Sequence, residues 1–542
     1  MESAYIRFFD SPELVRIVAS FLPRKAVTEL MRVNKALHEA GVSVVYRTLT
    51  EADTHRIGNS IDALVGLSRN ADHVREITMR HFFCDTYLDG ASAFVMSTVS
   101  SSQIPDFDPQ SSMFQPFTRL ASFRCKVRAG NPPCIAKRDT PVSYDSGVYL
   151  VQIGLLMGLN RGLVHLVLDD LPINGNTSLS VFCNSLLELD QLESLELGLM
   201  IPADAWDDHV IWEIFSSCSG TIREFKFHPI RRRRNRPDDI TGDSPIKAAD
   251  RPAMRRRRRE PFKHLQDWDF STERGFSKEI ICAMVSRCPA LVRMEMPTLD
   301  NKRQDSESVG WYIGEHCPKL EHLTRKILAN SDCNGSLMGA ILESLPKDTV
   351  KSIVFEGFQF NDYSFVDSMH RHFGSLTKLE FEFCRRFASD DVRTILEGCR
   401  VLEEFMIQAK PVEMTMIPLK ELVSFEWASQ ALRELTLSIL VQSMREFSKM
   451  TPGESKGESV ISEAQKTGPS LTGKLYRRLQ SMTNLEHFQG NLWLGNRKEE
   501  LKYTSMGPGR LTGGESKSRD SQTLTLYRHE TMEELEAFER DY

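Results

Sequence analysis

The sequence predicts an α/β chain in which a small N-terminal three-helix module leads into a long repeat solenoid with disordered insertions. Three observations predict it. Apolar residues in the first fifty positions recur at helical spacing, and a hexad of the form apolar-x-x-apolar-x-apolar then returns along most of the chain. The hexads start 26 to 30 residues apart, with a single gap of 43. At 542 residues the chain is too long for one ordinary core, so stacked repeats or several domains are expected.

Composition narrows the class. Hydrophobic residues at 41% and charged residues at 26% are those of a folded, soluble protein. The longest apolar stretch, Val148 to Leu159, is interrupted by Gln152 and falls short of the roughly 20 residues that span a bilayer, so no membrane span is expected. The opening MESAYIRFFDSPE has neither a basic start nor an apolar run ending in small residues, which predicts no secretory signal. Eleven cysteines are scattered without a C-x-x-C pair or zinc-ligand spacing. A reducing compartment, cytoplasm and/or nucleus, is expected, with no metal and no cofactor.

The first module spans residues 1–50. Ser11 can cap a helix, Pro12 suits its first position and Glu13 favours the positive end of the helix dipole. Leu14, Ile17, Val18, Phe21 and Leu22 then fall on one stripe, which Pro23 ends. A second stripe holds Ala26, Val27, Leu30 and Met31; after the break at Asn34-Lys35 a third helix carries Leu37, Ala40, Val44 and Val45. Three helices in about forty residues leave a large fraction of apolar area uncovered. Either the rest of the chain or another polypeptide covers it.

The string F-F-D-S-P-E-L-V-R-I-V-A-S-F-L-P-R-K-A-V-T-E-L-M-R-V-N-K-A-L resembles the F-box. Pro12, Glu13, Leu14, Ile17, Leu22, Val27, Leu30, Val33 and Lys35 match that pattern, while Ser11, Asn34 and Leu37 depart from it. The resemblance implies docking onto the Skp-type adaptor of a cullin-RING ubiquitin ligase of the SCF type. Pro12, Leu14, Ile17, Leu22, Val27 and Leu30 would contribute the adaptor contact.

Residues 51–160 read as irregular coils. Val74 to Met79 and Leu120 to Cys125 look like degenerate hexads, separated by a Ser/Pro/Gln-rich loop near 98–116. Regular hexads begin at residues 163, 192, 222, 265, 291, 350, 376, 402 and 432, and Leu320 to Leu323 keeps only the first half. Such a rhythm is what a leucine-rich repeat requires: one short strand and one return element per coil, stacked into a continuous core. Helical returns are expected at Asp208 to Ser216, Ser277 to Ser286 and Asp390 to Glu397. Cys218, Cys288, Cys317 and Cys399 each precede a strand, which further resembles the cysteine-containing repeats of F-box proteins of the leucine-rich class. One small buried residue per coil explains them more simply than metal binding.

The solenoid is expected over residues 161–495, and alternation along each strand leaves a polar face on the inner side of the horseshoe. Ser194, Glu196, Glu224, Lys226, Arg293, Glu295, His322, Thr324, Lys378, Glu380, Glu404 and Met406 lie there. These are the candidate target-binding positions, although an exposed strand face must be polar in any case.

The 43-residue gap holds two arginine runs: Arg231, Arg232, Arg233 and Arg234 with Arg236, then Arg255, Arg256, Arg257, Arg258 and Arg259. Residues 231–260 carry twelve Lys/Arg and five Asp/Glu, a balance of +7 against −6 for the chain, so the remainder holds −13. A nuclear-import signal is the favoured reading over an electrostatic grip on nucleic acid, which is not expected because no interleaved aromatics or nucleic-acid-binding fold accompany the runs; a solvated loop is the third. Residues 451–472 read as a flexible segment, Leu485 to Phe488 as a last coil, and 496–542 as a tail with a short acidic helix from Thr531 to Arg540.

No phosphate-binding glycine loop, nucleophile elbow or H-E-x-x-H motif stands in the sequence, so no enzyme activity is expected. Proximity would supply the catalytic gain in such a ligase: the adaptor and cullin scaffold hold one end, and an unknown protein target is held on the repeats. A non-ligase scaffold, whose helices cap the solenoid, is the rival.

Overall fold

The computed structural model describes residues 11–58, 66–67, 69–79, 117–126, 153–154, 156–172, 176–200, 208–229, 260–270, 276–296, 299, 303–326, 335–357, 364–382, 384, 388–408, 417–440, 474–475, 478–479, 481–482, 484–494, 497–504 and 523–528. The loop near 98–116, the arginine runs, the segment 451–472 and the acidic helix at 531–540 lie outside them. The chain forms two compact units, Met1–Thr272 with Arg287–Pro289, and Glu273–Ser286 with Ala290–Tyr542.

The first unit opens with helices α1 (Pro12–Ser20), α2 (Arg24–Leu30) and α3 (Lys35–Val45). Ser11 caps α1 by accepting from the Leu14 amide at 3.5 Å. Asn34, a break in the apolar pattern, is the N-cap of α3: its Oδ1 accepts from the Leu37 amide at 2.8 Å. Val15, Leu37 and Ala40 form the small core between α1 and α3, with Leu30 packed against it. A Cβ at Gly41 would overlap the Met31 side chain, so α3 approaches the end of α2 as closely as a glycine permits.

α3 runs almost directly into strand β1 (Thr48–Leu49). The intervening Arg47 carbonyl accepts from the Arg75 and Glu76 amides at 2.8 and 3.0 Å. β1 pairs in parallel with β2 (Glu76–Met79), and helix α4 (Glu51–Gly58) is the return between them. The parallel ladder continues through β3 (Ser122–Lys126), β4 (His165–Pro172), β5 (Ser194–Met200), β6 (Glu224–Pro229) and β7 (Asp267–Phe270). Its returns include α5 (Asn176–Leu187) and α6 (Asp208–Ser217).

Register explains the core. Leu49, Ile77, Phe123, Leu166, Leu195, Phe225 and Trp268 stand opposite one another across the seven strands and are all buried. Two residues on, Met79, Cys125, Leu168, Leu197, Phe227 and Phe270 form a second buried row. The period of two that the hexad shows is therefore the alternation of a half-buried strand. Between the coil at 120 and the one at 163, buried Asn160 joins the two: its Oδ1 accepts from the Leu120 amide at 2.8 Å and its Nδ2 donates to the Phe117 carbonyl at 2.7 Å. Next to the wide gap, Phe215 meets Phe225 and Phe262 edge-on at 5.3 and 4.7 Å. The buried Arg287 guanidinium lies 4.2 Å from the Phe262 ring centre and its Nε donates to the Glu260 carbonyl at 3.0 Å.

The second unit alternates helix and strand: α7 (Lys278–Val285), β8 (Arg293–Glu295), α8 (Arg303–His316), β9 (His322–Lys326), α9 (Gly335–Ser344) and β10 (Ser352–Glu356). There follow α10 (Ser364–Met369), β11 (Lys378–Glu382), α11 (Ser389–Gly398), β12 (Glu404–Gln408), β13 (Ile417–Pro418), α12 (Leu419–Leu422), β14 (Glu434–Leu440) and β15 (His487–Leu494). β8 to β12 are parallel and in register; β12 pairs with one half of β14 and β13 with the other. β15 continues the parallel ladder. The stretch expected as a tail instead contributes β16 (Arg497–Thr504) and β17 (Thr523–Arg528), which add antiparallel.

Hydroxyls tie successive coils together. Ser375 donates to the Val350 carbonyl and Ser429 to the Leu402 carbonyl, each at 2.6 Å, and in the first unit Thr221 reaches the Leu192 carbonyl at 2.9 Å. Each acceptor is the first apolar residue of a hexad. Arg325 takes the third inward position of the half-hexad at 320, opposite Phe355, and is buried. Helices α8 and α9 pack tightly at Gly310 and Gly314, where an added Cβ would overlap Ala340 and Ser344. Among the described residues no helix is long and apolar enough to cross a membrane.

Candidate docking stripe and recognition face

α1 has two apolar faces. Val15 and Ala19 turn inward and are buried, whereas Leu14, Ile17, Val18, Phe21 and Leu22 are 46%, 55%, 42%, 83% and 38% exposed. Val33, just after α2, is 69% exposed. These six make up most of the large hydrophobic side chains exposed among the described residues, the others being Leu159, Trp311 and Val401. A soluble chain scatters such residues singly, so their concentration on one short module is informative.

The six residues assigned to an adaptor contact separate in the structure. Leu14, Ile17 and Leu22 lie on the exposed stripe, and Pro12 occupies the first helical position. Val27 is buried and Leu30 packs on the module core, so these two support the stripe from within. Phe21 and Val18 extend it, and Val33 is exposed elsewhere on the module. Phe21 and Val18 were visible in the stripe periodicity, whereas Val33 follows the end of a helix, where periodicity carries no signal.

The predicted target-binding residues fall on adjoining strands in the order the hexads imply. In the first unit Ser194 stands opposite Glu224, its hydroxyl donating to Oε2 at 3.1 Å, and Glu196 stands opposite Lys226. Lys226 Nζ is 3.9 Å from Glu224. In the second unit Arg293, His322, Ser352, Lys378 and Glu404 form one row across β8 to β12. Glu295, Thr324, Val354, Glu380 and Met406 form the next.

Lys378 is the electrostatic centre of this face. Its ammonium lies 2.7 Å from Glu404 and 3.2 Å from Glu380. The Glu404 hydrogen bond, aided by Glu380, holds the lysine above its ordinary pKa in spite of partial burial. Burial varies along the face: Arg293 is exposed, Glu295 is buried, and His322 is intermediate with Nε2 3.8 Å from Glu321. The nine arginines of the two runs, Arg231 to Arg234 and Arg255 to Arg259, lie outside the described residues.

Cys218, Cys288, Cys317 and Cys399 are buried as small packing residues at the ends of returns. Burial pushes the Cys317 thiol up to about 12 and raises Cys399 as well, which keeps both protonated and unreactive. Among the described residues no group of three or more His, Cys, Asp and Glu side chains could hold a metal ion.

No family model matches the chain, and no curated protein matches it. Among solved structures it is similar to the crystal structure of the Rad7 and Elc1 complex in yeast, with 12% identity over 72% of this chain and 94% of that chain. The TM-score of that superposition is 0.30, too low to carry an argument about this chain.

Proposed function

We propose that this chain is the substrate-recognition subunit of an SCF-type ubiquitin ligase. α1 docks a Skp-type adaptor that connects to a cullin scaffold, and the polar strand faces hold a protein target. The chain performs no chemistry itself; its contribution is to raise the effective concentration of target lysines near a ubiquitin-charged enzyme. The exposed apolar stripe of α1 carries the reading, supported by the resemblance of residues 8–37 to the F-box. Covering side chains of this size contributes roughly 1.5 to 3 kcal/mol each when burial is complete, enough for a few half-exposed residues to anchor a partner after association costs.

Adaptor pull-down from cell extract tests the proposal. Wild type recovers the adaptor and cullin, and Leu14→Asp or Ile17→Asp loses both. An equal recovery by the aspartate variants sinks the ligase reading.

A second reading is an interaction scaffold whose helices cap the repeat sheet. The direct run of α3 into β1 favours it, because a cap must seal the first coil. The cap reading expects no adaptor recovery by wild type.

A further inference from the structure

α3 ends at Val45 and β1 begins at Thr48, so the module is joined to the first coil by two residues. A second connection crosses between them. Arg24, the first residue of α2, donates from Nη1 to Asp53 Oδ2 in the first turn of α4. Asp53 is only 18% exposed and Arg24 is 42% exposed, so the contact is partly sheltered from water.

Asp53 is already provided for locally. Its Oδ2 also accepts from the Thr50 amide at 3.1 Å and the Thr50 hydroxyl at 2.8 Å, a helix-start arrangement that needs no arginine. Partial burial alone would raise its pKa, yet Thr50 and Arg24 together hold the carboxyl below its ordinary value. The next residue, Thr54, donates to the Thr78 carbonyl of β2 at 3.1 Å. A continuous set of polar contacts thus runs from α2 through α4 into the strand ladder. Arg24 adds to it a bond across 29 residues that helix capping does not require.

We propose that the Arg24–Asp53 ion pair is a clasp that fixes the orientation of the helical module on the first coil. A partner docked on α1 is thereby presented at a set distance from the polar strand face of the first unit. That purpose rests on the ligase reading; the clasp itself does not. Arg24 is a positioning residue. Its role is exerted through α4, on the direction in which the stripe points. The two linking residues are held by the Tyr46 amide on the Val42 carbonyl and by the Arg47 carbonyl on the Arg75 and Glu76 amides, all at the end of α3. The ion pair adds a second point of attachment on α2 that resists rotation about the first.

The test uses the full chain with a donor and an acceptor dye on bio-orthogonal side chains at Arg16 and Arg124. Both positions are exposed, one on α1 and one on β3. Wild type gives a single narrow distribution of transfer efficiency. Arg24→Glu broadens it, and the conservative Arg24→Lys restores it, an outcome that loss of helix packing alone would not give. Hydrogen exchange at the Val15 and Leu37 amides checks that the module core is intact; should Arg24→Glu fail to fold, Asp53→Asn weakens the pair while keeping an oxygen for Thr50. A broad wild-type distribution, or an Arg24→Glu distribution as narrow as wild type, overturns the clasp. A wild-type chain that recovers no adaptor defeats the ligase reading and leaves the distance result standing.

Discussion

Apolar residues do opposite things in the helical module and in the coils. Along each strand the inward positions meet identical positions of the neighbouring strands, so Phe225, Leu379 and Phe405 are all buried within their own unit. On α1 only Val15 and Ala19 are fully buried, while the wider stripe from Leu14 to Leu22 stays 38% to 83% exposed. The module has more apolar face than three short helices can use. Hydrophobic periodicity therefore reports that a face will be covered and is silent on what covers it.

Substitutions can break this contrast, and the largest effect is expected in the coils. Phe225→Ala removes a buried ring that packs against Phe215 and Phe270, and should cost about 3 to 5 kcal/mol in denaturant unfolding of the intact chain. Gly314→Val should follow at about 1 to 3 kcal/mol, because its side chain has to displace Ser344 and separate α8 from α9. A loss under half a kilocalorie there would show that the helix layer is looser than the sheet.

A pH series sharpens the same point. His372 is fully buried, with Nε2 on the Leu342 carbonyl at 2.9 Å. Burial, with a smaller push from Arg371, lowers its pKa against the opposing effects of Leu342 and Asp348. The folded chain thus favours the neutral ring. This contribution is fully present above the unfolded value of about 6.5 and is lost as pH falls below it towards the folded value. The urea midpoint should drop over that window in wild type, and His372→Gln should flatten the slope; an unchanged slope would assign the acid sensitivity to other groups.

On the polar face the effects should be small. A double-mutant cycle on Lys378→Met and Glu404→Gln should give a coupling of about 0.2 to 1 kcal/mol, as partly exposed pairs do. Smallest of all is the exposed stripe: Phe21→Ser should alter stability by less than about 0.5 kcal/mol and still reduce adaptor recovery. A strong destabilisation by Phe21→Ser would mean that the stripe is structural, and the contrast between the two regions would disappear.

The strands are legible because two inward apolar positions per coil leave a period of two, and the returns at Asp208, Ser277 and Asp390 are legible as the stretches between successive hexads. What escaped did so for physical reasons. β1 is two residues long and buries only Leu49, too little to form a pattern. Arg325 fills an inward position with a charged side chain, so its coil read as half a hexad. β16 runs Arg-Lys-Glu-Glu-Leu-Lys-Tyr-Thr, whose pairing comes from the backbone and is invisible to apolar spacing. On the candidate site, periodicity found the stripe, while the F-box resemblance put Val27 and Leu14 in one adaptor-contact group. Only packing separates the residue that faces α3 from the one that faces water.

β6 and β7 pair in unbroken alignment, Glu224 with Asp267 and Phe227 with Phe270, although 43 residues separate their hexads where 26 to 30 suffice elsewhere. Backbone bonding between the two rungs is thus indifferent to how much chain is threaded between them, since lengthening a connection adds closure entropy only logarithmically. Arg287, seated on Phe262 and bonded to the Glu260 carbonyl, marks where the threaded chain rejoins the stack. A foreign domain spliced between Pro229 and Glu260 should ride on the protein without disturbing the coils on either side.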